Sequence, residues 1–208
     1  MNEDNIVIVV GRQLGSGGRD IAKMLANDFN CKFCDRELLN LAAKESGFSE
    51  KFFEQYDEHK YFLRSVFHLH VPHVSEGNFY DDNLSEESLF KFQSDAIRKA
   101  ADESSCVFVG RCADYVLRDN KDLVSIFISA DTENRLKRVC ERCQCDSATA
   151  RKTISNCDSN RASYYNYYTG RKWGAAESYD LCINSGVLGI EATENYIKEF
   201  IYKKLKLK

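Results

Sequence analysis

Residues Val9 to Lys23 read "VVGRQLGSGGRDIAK". An apolar run leads into Gly11, Gly15, Gly17 and Gly18, and a helical pattern starts directly behind them. Glycine lets the backbone turn with positive φ and come close to a ligand. The amides of such a turn, with the positive end of the following helix, make an anion site. The outline is that of a phosphate-binding loop. A purely structural strand-to-helix turn has the same outline. No lysine occurs between Val9 and Ala22, and no Ser or Thr stands just behind the glycines. If the loop holds a phosphate, other groups must supply the charge.

Outward from this stretch, short apolar runs read as strands: Ile6–Val10, Lys32–Cys34, Cys106–Val109, Val124–Ile128 and Asp180–Asn184. Several are apolar nearly throughout, as strands buried on both faces of a parallel sheet must be. Helical patterns lie between them. Ile21, Leu25 and Phe29 share one face. Leu89, Phe92, Ala96 and Ala100 share another in a long helix capped by Ser85, with Glu86 and Glu87 in its first turn. Leu136, Val139 and Cys140 mark a helix capped by Asp131 or Thr132, and Ile190, Ile197, Ile201 and Leu205 mark the last. Strands alternating with helices predict βαβ units and an α/β fold with a doubly wound sheet.

Two regions interrupt the alternation. Residues 49–83 are rich in aromatics and contain Pro72, and residues 141–173 are polar and rich in Arg and Tyr. The chain has 208 residues, which suits one domain with inserts. Its net charge of −3 argues against a general nucleic-acid binder. No apolar run is long enough to span a bilayer, and the acidic "MNED" before the first apolar run is unlike a signal peptide. A cytoplasmic protein is therefore expected. Its nine Cys, an odd number, then read as reduced thiols. "CERCQC" and "CKFC" have some metal-like spacing, but no His lies near either, so small half-buried side chains are the expectation. His59, His68, His70 and His73 fall in the aromatic insert without nearby thiols and read as part of a mixed-polarity segment.

Together the segments resemble the cytidylate kinase-like family of P-loop nucleoside monophosphate kinases. "GSGGRDIAK" aligns with that family's loop without a gap from Gly15 to Lys23. Gly18 then occupies the lysine position, Arg19 the next, and Asp20 the position of the hydroxyl that normally touches magnesium. "FCDREL" (Phe33–Leu38), "VFVGRCADYVL" (Val107–Leu117) and "CDSNR" (Cys157–Arg161) match further segments. The resemblance implies a P-loop, three-layer αβα fold with a five-stranded parallel sheet. It implies a single domain over residues 1–208, with a helical substrate-binding insert at about 36–95 and a lid at about 141–173. The implied activity is transfer of the γ-phosphoryl of ATP, with Mg²⁺, to a nucleoside monophosphate, CMP or dCMP. The alternatives are a kinase for another small acceptor and a non-catalytic nucleotide-binding regulator. The partners are small nucleotides rather than nucleic acid or membrane, and an oligomer is possible.

On this resemblance Arg12, Gly15, Ser16, Gly17, Gly18, Arg19 and Asp20 hold the donor phosphates, and Asp20 takes the metal. Asp35, Arg36 and Arg111 hold the acceptor. Arg19 and Arg161 act on the transferring group, and Asp158 orients Arg161. Each residue also has an ordinary reading. Arg19 and Asp20 suit a solvated helix start, and Asp35 suits a helix cap with Arg36 on the surface. Arg111 suits a fold-fixing ion pair, and Asp158 with Arg161 suits a surface pair at helical spacing. Ser129 stands where several cytidylate kinases carry an Asp that contacts the sugar.

Overall fold

Val7, Ile8, Val9 and Val10 are all buried, whichever face each side chain points to. A strand buries both faces only between two layers, and β1 (Val7–Arg12) is that strand. The computed structural model describes residues 5–35 and 86–207, and elements are numbered along those residues. With β2 (Lys32–Cys34), β3 (Cys106–Val109), β4 (Leu123–Ser129) and β5 (Leu181–Asn184) it forms a five-stranded sheet of order β2-β3-β1-β4-β5. Every pairing is parallel, with Val7 opposite Cys106 on one side and Leu123 on the other. The expected strands all form. The last starts at Leu181 because Asp180 is used otherwise: its carboxylate accepts from the Ser125 amide at 2.7 Å.

The helices are α1 (Gly18–Asp28), α2 (Glu86–Glu103), α3 (Ala113–Val116), α4 (Thr132–Cys143), α5 (Ser147–Thr169), α6 (Ser185–Leu188) and α7 (Ile190–Leu205). Ile21 and Leu25 of α1 and Ile197 and Ile201 of α7 pack on Ile8, Val10 and Ile126. On the opposite face, Ile97 of α2 and Val116 of α3 pack on Val7, Val9 and Phe108. The architecture is a three-layer αβα sandwich, as the alternation predicts. Asp131 caps α4 by accepting from the Asn134 amide, and Asp146 caps α5 through the Thr149 amide.

The inward face of α2 departs from expectation. Phe92 is 37% exposed, while Gln93, Ser94 and Ile97 are buried. The helix is rotated because its polar groups find partners. Ser94 donates to the Phe90 carbonyl at 2.7 Å, and Gln93 Oε1 accepts from the Tyr164 hydroxyl at 3.2 Å. Phe90 stacks on Tyr168 of α5, with centroids 4.1 Å apart. Apolar periodicity alone cannot see a buried Gln that is satisfied by a tyrosine.

β1 lies between β3 and β4, so the chain reverses its direction of winding beside it. In open α/β sheets, ligands bind at the carboxyl ends of the strands at such a point. Both cavities described below open there.

Candidate active site

The segment from Gln13 to Gly17 joins β1 to α1, and its peptide groups are sorted by direction. Carbonyls point away from the loop and are held. The Leu14 carbonyl accepts from Arg135 Nε at 2.8 Å, that of Gly15 from Arg138 at 3.2 Å, and that of Ser16 from Ser185 at 2.5 Å. Just before them, the Arg12 carbonyl accepts from Arg161 at 3.2 Å. Among the described residues no partner takes the amides of Gly15, Gly17 or Arg19. A turn with its carbonyls tied back and its amides open is an anion nest. The Ser16 hydroxyl serves the turn itself, donating to the Gln13 carbonyl at 2.9 Å.

Gly15 carries the tightest constraint. Its φ is +79°, and a Cβ there would lie 2.7 Å from the Arg135 carbonyl oxygen, a backbone atom. Gly15→Ala therefore meets a left-handed penalty of about 1–2 kcal/mol together with a backbone clash. The expected outcome is a fall in Mg-ATP affinity of about tenfold or more, the equivalent of a lost charge-assisted hydrogen bond. Calorimetric titration checks it, and native affinity in the variant would show that the loop is not the phosphate site.

The nest opens into a cavity of about 480 Å³ whose walls carry Arg12, Arg19, Arg138, Arg142 and Arg161 against Asp20 and Glu141. Five cations against two anions suit a polyphosphate. Arg19 lines this cavity but has its own partner: its guanidinium lies 2.5 Å from Asp35 and 5.8 Å from the Phe33 ring centroid. Asp35 thus joins the end of β2 to the start of α1. Asp20 is exposed in the first turn of α1, on the same cavity. Among the described residues no group of three His, Cys, Asp or Glu could hold a metal. Mg²⁺ in phosphate sites takes one or two carboxylates and the substrate's own oxygens, so Asp20 fits that ion.

A second cavity, of about 40 Å³, adjoins the first and shares Arg12 and Arg161 with it. Arg111 and Asp114 also line it. Gly110, Arg111 and Cys112 all have positive φ, at 75°, 58° and 56°. Two successive non-glycine residues in that region are strained, and such strain persists where the surroundings impose it. The turn carries the Arg111 guanidinium to 5.4 Å from the Tyr164 ring centroid, within cation–π range.

Asp114 is 5% exposed and accepts from the Tyr165 hydroxyl at 2.7 Å. Burial pushes its carboxyl above the usual carboxylate range, opposed by the Tyr165 hydrogen bond. A raised folded-state value means the group's contribution to stability is fully present below the unfolded value, near about pH 3.9. It is lost as pH rises through the folded value. Asp114→Asn never ionises, so its stability relative to the native protein should grow from about pH 4 upward and then level off. Urea titrations at several pH values measure this. A difference that does not vary with pH would mean Asp114 is not held above its ordinary value.

α5 packs against α4 and the loop. Asp158 accepts from the Leu14 amide at 2.8 Å and pairs with Arg135, while Arg161 Nη1 is 3.9 Å away from it. The expected helical face is present, yet Asp158 serves mainly the loop and Arg135. Arg161 is 14% exposed, and its Nε has no hydrogen-bond partner among the described residues. The Ser129 hydroxyl is turned into the sheet, donating to the Ile183 carbonyl at 3.3 Å. Cys140, Cys143, Cys145 and Cys157 pack around Leu14, Val139, Ala150 and Ile154. Arg36, the insert histidines and most of the expected substrate insert lie outside the described residues.

Sequence reasoning did not single out Arg135, Arg138 or Asp114. Arg135 and Arg138 share a face of α4 three residues apart, but a basic helix face normally reads as solvated. Asp114 follows Arg111 in "GRCAD", where only the turn of α3 reveals its burial.

No curated protein matches the chain. Among solved structures, an uncharacterized protein from Eubacterium ventriosum is similar at 30% identity and TM-score 0.72, covering 95% of this chain and 98% of that one. A shikimate kinase from Bacteroides thetaiotaomicron is similar in fold at 12% identity and TM-score 0.52, covering 94% of this chain and 98% of its own. A gluconokinase from Sinorhizobium meliloti is similar in fold at 11% identity and TM-score 0.50, covering 97% and 98%. The αβα fold is common to this chain and these kinases. With a match over residues 7–187 that takes in the loop and the sheet, the chain belongs to the cytidylate kinase-like family.

Proposed function

We propose that the protein is a kinase that transfers the γ-phosphoryl of ATP to the phosphate of CMP or dCMP. The observation that carries this reading is the sorting of the loop peptides, with carbonyls tied back and the amides of Gly15, Gly17 and Arg19 open beside a basic cavity. Arg12 and Arg161 line that cavity and its smaller neighbour alike. Such an arrangement suits phosphate groups of two ligands meeting beside Arg12 and Arg161.

Phosphoryl transfer asks a protein mainly to position groups and neutralise charge. The loop amides hold the donor phosphates, with Arg19 at the edge of the same cavity. Arg111 holds the acceptor's phosphate from the strained turn after β3, with Asp35 at the end of β2 and, next to it in sequence, Arg36. Arg161 faces the transferring group. Asp20 is the residue that would hold Mg²⁺, an ion that supplies positive charge to the donor phosphates. A monophosphate acceptor is already anionic, so no general base is demanded. The chain is read as one domain whose 141–173 region is a lid, and closing it excludes water from the reacting phosphate.

The test is ADP release from Mg-ATP with a panel of nucleoside monophosphates, nucleosides and small alcohols. CMP or dCMP should accelerate it, and Arg111→Ala should raise the KM for that acceptor by about tenfold or more, as expected for a lost charge-assisted contact. Acceleration by an alcohol alone would keep the kinase and discard the cytidylate. ATP binding with no acceleration by any acceptor would favour a nucleotide-binding regulator.

A further inference from the structure

We propose that Arg12 supplies, from the opposite end of the loop, the cation that lysine supplies in other phosphate loops. The proposal rests on the reading of the loop as a donor-phosphate site. In the pattern Gly-x-x-x-x-Gly-Lys, Arg12 stands at the first glycine, Gly17 at the second and Gly18 at the lysine. The charge has moved from one end of the pattern to the other.

The geometry gives the reason for both changes. Gly18 is not among the glycines with positive φ, so backbone conformation does not require glycine there. Space does. A Cβ on Gly18 would lie 2.6 Å from Arg12 Cβ and 3.2 Å from Arg12 Cγ. The stem of Arg12 fills the place where a side chain at position 18 would begin. Its head runs on to the turn after β3, where a Cβ on Gly110 would lie 2.3 Å from Arg12 Nη1. Arg12 thus crosses between two glycines and lines both the donor cavity and the small cavity beside it. Its own carbonyl is held by Arg161, which fixes the backbone from which it projects.

Arg19 is the rival for this role, being next to the lysine position. It is 43% exposed and lies 2.5 Å from Asp35, at the end of β2. Arg12, like Arg161, lines both cavities, while Arg19 lines only the larger one, and a guanidinium binds phosphate oxygens in a bidentate fork.

The experiment exchanges the two positions. Affinities for ATP and AMP are measured by calorimetry on the full chain, with thermal unfolding as a check on folding. Arg12→Gly should weaken ATP binding by about tenfold to a hundredfold, the range for a hydrogen bond to a charged group, and weaken AMP binding by much less. Arg12→Gln, which keeps the stem but not the charge, should do the same and serves if the glycine variant unfolds. Arg12→Gly combined with Gly18→Lys restores the common pattern and should recover most of the ATP affinity. Arg12→Ala combined with Gly18→Lys should not recover it, because alanine retains the Cβ that obstructs position 18. ATP affinity in Arg12→Gly or Arg12→Gln equal to the native value would overturn the assignment. So would equal affinities in the two double variants. A native protein that binds ATP no more tightly than AMP would instead overturn the donor-site reading, and the role of Arg12 with it.

Discussion

Asp158→Ala is expected to lower stability by about 3–5 kcal/mol, the usual result of removing one partner from a buried ion pair. The Arg135 and Asp158 side chains are only 10% and 16% exposed, so the charge left behind is poorly solvated. The substitution also strips the Leu14 amide of its acceptor, loosening the loop where it leaves β1. Urea unfolding measures the effect. Asp158→Asn keeps an acceptor for Leu14 and should lose less. Were Asp158 simply an orienting partner of Arg161, both substitutions would spare stability and change turnover alone. The 3.9 Å separation from Arg161 argues against that simpler role.

Arg161→Ala is expected to reduce turnover by about a hundredfold to a thousandfold, the scale on which a single preorganised donor to a transition state acts. Mg-ATP affinity should change by much less, because in the proposed function the contact belongs to the reacting state. Arg161 borders both cavities, and its buried Nε has no partner among the described residues. A buried guanidinium donor is rarely left unsatisfied, and an incoming phosphoryl oxygen is a fitting acceptor. Steady-state kinetics with the acceptor identified in the panel provides the measurement. An unchanged turnover number would reduce Arg161 to its structural contact with the Arg12 carbonyl.

The two residues show how far spacing carries a site. Asp158 and Arg161 sit three apart in one helix, and the sequence places them on one face. That is a local property, set by 3.6 residues per turn. It does not say which third residue arrives opposite them. Arg135, 23 positions earlier, takes Asp158, and the loop backbone takes what remains. Arg19 is a parallel case. Its neighbours in sequence suggest a phosphate, and Asp35, 16 residues on, provides a closer partner.

By itself the sequence determined the sheet and its two covering layers, because buried parallel strands must be apolar on both faces and their helices on one. It also determined the glycine loop and the family. Only the tertiary structure decided the rotation of α2, where Gln93 is buried by a hydrogen bond to Tyr164 from 71 residues away. Only the tertiary structure showed why position 18 is a glycine, since the obstacle is the stem of Arg12 and not a backbone angle. Apolar burial follows a periodic rule that can be read along one chain segment. Polar pairing and close packing depend on which groups the fold brings together, and that is settled between segments remote in sequence.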